Sequence, residues 1–141
     1  MSLKKIFLTF ASLFVLSGPG RAQVSDEFQR YVATLHSSMS NLDAARAYLE
    51  SQSLLDARFE RELGVAKEKI LLSSFNLGQW ILPGLSYNDR RSRLFAFCDY
   101  NHEASLVWIR MNLELGPERN QAAEWASLFK KAKKDLPMPC D

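Results

Sequence analysis

The sequence is poor in the residues that hold metals and cofactors. Among 141 residues there are two histidines, His36 and His102, and two cysteines, Cys98 and Cys140. Zinc and related metals need three or four soft or imidazole ligands at close quarters. Asp99, His102 and Glu103 can share one helix edge, but His36 is the only other imidazole. His102-Glu103 opens like a zinc-protease helix, yet no second histidine follows one turn later. A di-iron bundle needs two Glu-x-x-His pairs, and there is none. Nor is there a Cys-x-x-Cys-His haem attachment, a glycine-rich phosphate loop or a Gly-x-Ser-x-Gly elbow. No cofactor and no metal is therefore expected, and His102 reads as a core histidine. A hydrolytic Ser–His–acid triad assembled from distant positions remains an alternative, because its members need not be neighbours in sequence.

Proline is also scarce, and no convincing run of period-two alternation points to strands. Of five prolines, Pro83 and Pro117 stand at proposed turns, Pro137 and Pro139 in the tail, and Pro19 near the start. Apolar residues recur instead at helical spacing. The first predicted helix covers 26 to about 39, with Ser25 as N-cap and Phe28, Tyr31, Val32, Leu35 and Met39 on one stripe. A polar run at 37–41 interrupts it, and Ser40 with Asp43 resembles a capping box. That arrangement predicts a short second helix carrying Leu42, Ala45, Tyr48 and Leu49. The third runs through Leu55, Phe59, Leu63, Ala66, Ile70, Leu77 and Ile81 without a phase break, so Gly64 lies inside it. The fourth starts near Asn88 or Asp89 and ends at Leu115; the fifth runs from 118 to about 135. The expected fold is all-α: an antiparallel bundle of about five helices. The fourth, apolar on nearly all sides of a helical wheel, is expected to be its buried centre.

Long apolar runs are limited to the N-terminus. Lys4 and Lys5 precede an apolar stretch over 6–16, then Ser17, Gly18, Pro19 and Gly20 break it, and Gly20-Arg21-Ala22 offers small residues for cleavage. This pattern predicts a secretory signal over 1–22 and a single helical domain over 23–141. The stretch is about half of the ~20 residues that a membrane span requires. No stable membrane anchor is expected after cleavage.

A surplus of one charge is missing as well. The whole chain carries 18 bases and 16 acids. Loss of Lys4, Lys5 and Arg21 with the signal leaves 15 bases, a net charge of −1. Nucleic-acid binding needs a basic excess, so no nucleic-acid partner is expected. Export also predicts that Cys98 and Cys140 are bridged. If the last two helices are antiparallel, the end of the fifth returns to the level of Cys98.

Two features remain that point to function. Residues 70–88 hold no charged side chain but are rich in large apolar ones, including Phe75, Trp80 and Tyr87. Arg90, Arg91 and Arg93 follow at the start of the fourth helix, the end where the dipole disfavours cations. Aromatic residues and arginine beside an apolar patch are the composition of protein-binding hot spots. The expected function is a periplasmic or secreted, non-enzymatic binding module, of the kind represented by inhibitors, immunity proteins and assembly factors. Its partner site would comprise Phe75, Trp80, Tyr87, Arg90, Arg91 and Arg93. A helical carrier of an apolar small molecule is the alternative. Apolar surplus on two helices is also compatible with a homodimer.

Overall fold

The computed structural model describes residues 26–136. The predicted signal, the Ser25 cap, the prolines of the tail and Cys140 lie outside the described residues. Among the described residues four helices follow one another: α1 (Asp26–Ser51), α2 (Ala57–Trp80), α3 (Tyr87–Leu115) and α4 (Ala123–Asp135). Among the described residues there is no strand.

The first two predicted helices are one. The serines at 37–41 do not break α1, because their hydroxyls bond backward onto the helix itself. Ser38 Oγ donates to Thr34 O at 2.9 Å and Ser40 Oγ to His36 O at 3.2 Å. Ser38 and Asn41 are also buried, at 1% and 4% exposure, where they meet α4. The run is a tertiary contact rather than a stop. The true stop follows Ser51, where Leu54 N bonds Leu49 O at 2.8 Å and Ser53 adopts φ 55°. That is the six-to-one closure of a helix end with a left-handed residue.

Asp56 caps α2 by accepting from Phe59 N at 2.9 Å. The helix then runs unbroken through Gly64, as the phase of its stripe requires. Its partner α3 is antiparallel and in strict register. Arg58 pairs with Glu114, Glu62 with Arg110, and Lys69 with Glu103. Steps of four and seven along α2 match equal steps backward along α3. Between them Ser73, fully buried, donates to Asn101 Oδ1 at 2.8 Å.

The predicted last helix is shorter than expected at its start. Residues 117–122 form turns after Gly116, whose φ of 81° suits glycine. Asn120 Nδ2 donates to Asn112 O at 3.1 Å and holds those turns against α3. The helix begins only at Ala123 and packs chiefly on α1. Trp125, fully buried, joins three helices. Its ring lies 5.7 Å from Tyr48 of α1 and 6.0 Å from Trp108 of α3. Burying a side chain of this size contributes at least about 2–3 kcal/mol.

The expectation that this third observed helix is buried on all sides is corrected. Phe97, Cys98, Ala104, Val107, Trp108, Met111 and Leu115 face the core. The opposite side holds Phe95, His102, Leu106 and Leu113, all exposed. The reason is the arrangement: α3 packs mainly on α2, while α4 lies mainly on α1 and leaves the far side of α3 bare. His102 is accordingly exposed and not a core residue.

Candidate functional site

The charge-free stretch becomes the end of the α2–α3 hairpin. Trp80 closes α2, Ile81 is its C-cap, and Gly84 turns the chain with φ 84°. Ser86 then caps α3. It accepts from Asp89 N at 3.1 Å, and its hydroxyl donates to Asp89 Oδ2 at 2.7 Å. The reciprocal pair fixes where α3 begins and places Tyr87 at its first residue.

The predicted site residues divide into two groups. Phe75 is 52% exposed and Tyr87 75% exposed. Arg90 and Arg91 are exposed too. Trp80 and Arg93 are half-buried, and Trp80 packs against the core. These two support the surface more than they present it. Leu82, 39% exposed, and Phe95, 45% exposed, belong to the same outer surface and were not expected there. Phe95 was legible in principle, because Arg91 stands four residues before it on the same helix face.

Each arginine has a local partner, which explains how three cations are held at a helix N-terminus. Arg90 donates to Leu82 O at 3.3 Å and Arg93 to Asn76 Oδ1 at 3.3 Å. The Arg91 guanidinium lies 5.2 Å from the centre of the Phe95 ring. Asp89 is the only acid between positions 70 and 93, and Ser86 occupies it. A guanidinium carries five donors. Among the described residues Arg90 and Arg93 each make one bond, so the end combines exposed rings with cationic donors that have no partner there. Chemically that suits recognition of a surface with apolar and acidic groups. Phe75, Leu82 and Phe95 point outward, so they do not line the internal cavity that the carrier alternative requires.

Elsewhere the titratable groups serve the fold. Lys131 donates to Asn41 Oδ1 at 3.1 Å and pairs with Asp135, which also accepts from Asn41 Nδ2 at 2.9 Å. Partial burial acts to raise the Asp135 pKa. The bonds from Lys131 and Asn41 outweigh it and hold the carboxyl below its ordinary value. Tyr31 is pushed up to about 12 by burial and by the hydrogen bond its hydroxyl donates to Glu27. Both histidines are exposed, one on α1 and one on the far side of α3. Among the described residues no three His, Cys, Asp or Glu side chains are grouped to hold a metal ion. No described helix is long and apolar enough to cross a membrane.

Comparison with protein families, with curated proteins and with solved structures finds no match to this chain.

Proposed function

We propose that the protein is an exported, non-enzymatic binding module that engages a protein partner through the end of the α2–α3 hairpin. It acts by occlusion or scaffolding, in the manner of an inhibitor, an immunity protein or an assembly factor. The observation that carries this reading is the exposure of Phe75 and Tyr87 beside Arg90 and Arg91. Large exposed rings cost solubility and mark interaction sites when they cluster. Tyr87 stands three and four residues before Arg90 and Arg91 on α3, and arginine is the cation most enriched at binding hot spots.

Export by a signal over 1–22, followed by a Cys98–Cys140 bridge, completes the reading. Cys98 is buried at 4% exposure beside Phe97, whose ring meets Tyr31 of α1 at 5.2 Å. Asp135 O accepts from Ser38 Oγ at 3.2 Å, two turns further along α1. Two turns are about 11 Å. The four steps from Leu136 to Cys140 reach about 13 Å when extended, which supports closure. Such a bridge contributes roughly 4 kcal/mol in the chain-entropy model.

The test is affinity capture from the periplasm of the native host. Wild-type protein recovers a specific partner, and a Tyr87→Ala, Arg90→Ala, Arg91→Ala triple variant loses it. Recovery of the same non-specific set by both refutes the reading. The intact mass of secreted protein, with and without reduction before alkylation, checks a start at Gln23 and the bridge.

A further inference from the structure

We infer that the bare face of α3 is the seat of a second copy of this chain, packed antiparallel across a two-fold axis. The inference shares Phe95 with the proposed partner-binding end and otherwise rests on different residues. It rests on Phe95, Asp99, His102, Leu106, Ile109 and Leu113.

These six residues step along α3 by four, three, four, three and four. That is the seam spacing of helices that pack against other helices. At 100° per residue Phe95 and Leu113 coincide, and His102 and Leu106 lie within about 20° of them. The core face, centred on Phe97, Ala104 and Trp108, is diametrically opposite. The seam is therefore a second packing surface, and nothing within the described residues covers it: Leu113 is 69% exposed, Phe95 45% and Leu106 40%.

The pattern identifies the occupant. The spacing reads the same in both directions about Ala104, so an antiparallel copy sets Phe95 against Leu113 and His102 against Leu106. A two-fold contact must be self-complementary in this way. The same register sets Asp99 against Ile109, the residue before Arg110. Asp99 is exposed and forms no ion pair among the described residues, and Arg110 sits on the same flank of the seam. The antiparallel register brings Asp99 of each copy beside Arg110 of the other. Arg110 is paired at 3.1 Å with Glu62 of its own chain but keeps 49% of its side chain exposed. An anionic membrane or an acidic peptide would instead call for a seam flanked by one sign of charge, and this one carries both. The seam runs over about 27 Å of helix. Pairing on it leaves the two Tyr87 ends at opposite tips, about 50 Å apart along the axis, so the dimer presents two binding ends.

Sedimentation velocity on the purified secreted protein, over a wide micromolar concentration range, is the test. The expected result is a monomer–dimer equilibrium. Leu106→Glu abolishes it, and Leu113→Ser weakens it at a site too exposed to disturb the fold. Asp99→Arg and Arg110→Asp each weaken association by roughly tenfold or more through like-charge contact. The double reversal restores it. Circular dichroism confirms that each variant is helical; should Arg110→Asp unfold the chain by setting Asp beside Glu62, Asp99→Arg and Leu113→Ser still decide. A wild type that stays monomeric, a dimer indifferent to Leu106→Glu, or association only with a different protein overturns the inference.

Discussion

The indole N–H of Trp125 donates to the side-chain oxygen of Asn112 at 2.9 Å, so the ring at the meeting point of three helices is fixed by a single polar bond. Asn112 also offers its backbone carbonyl to Asn120, and one residue thus sets both the turn before α4 and the seating of its largest side chain.

Asn112→Ala strands the buried indole donor. The expected loss is about 1–3 kcal/mol in chemical denaturation, the cost of an unsatisfied buried polar group. Trp125→Ala costs more, about 3–5 kcal/mol, through the cavity it leaves among Tyr48 and Trp108. In a double-mutant cycle the two changes couple. Additive effects would show that the bond contributes nothing of its own.

Two backbone positions carry the less favourable residue. Gly64 lies inside α2 with nothing within 4 Å of an added Cβ. Gly64→Ala is expected to stabilise by up to about 1 kcal/mol. Ser53, at φ 55°, stands where glycine fits best. Ser53→Gly is expected to gain roughly 0.5–1 kcal/mol. The sites are independent, so the double variant should show the sum as a raised melting temperature. Gly84→Ala and Gly116→Ala, both at positive φ, should lower it.

Ser73 and Asn101 form a buried polar pair, and Asn101 Nδ2 has no hydrogen-bond partner among the described residues. Removing one member alone leaves more unsatisfied polarity, so Ser73→Ala is expected to destabilise by about 1–3 kcal/mol. The double change Ser73→Ala, Asn101→Leu is expected to recover most of that loss. Equilibrium denaturation of the three variants checks this; a double variant worse than Ser73→Ala refutes it.

Asp135 ties α4 to α1 with a carboxyl held below its ordinary pKa. A depressed folded-state value contributes stability that is complete above the unfolded-state pKa, near 4, and disappears as pH falls through the folded-state value. Melting temperature should therefore drop below about pH 4 more steeply in wild type than in Asp135→Asn. Parallel pH profiles would remove Asp135 from the acid response.

Helix existence was legible wherever spacing was continuous. The unbroken phase from Leu55 to Ile81 carried α2 across Gly64, and Gly116-Pro117 marked the end of α3. The serines at 37–41 misled because a hydroxyl that caps one helix can equally bond backward within another, and only the approach of α4 decides which. The wheel for α3 held two apolar faces and offered no way to choose between them. Burial went to the side containing Asn101, whose polarity argued against it. At the candidate site, exposure of Phe75 and Tyr87 follows from a charge-free hairpin over which the described residues place no third element. The half-burial of Trp80 depends on core packing that a single sequence does not display.

Contacts between Ser38 and Asp135 join residues 97 positions apart, whereas α2 and α3 meet across one short turn. Closing so distant a pair is slow and comes late. The middle hairpin can thus form early and offer a surface to α1, while the part of α1 around Ser38 and Asn41 stays uncovered until the final helix has been synthesised. For a polypeptide proposed to be exported, contacts that need α4 postpone the last closure until Asp135 has emerged, so that passage and folding compete less.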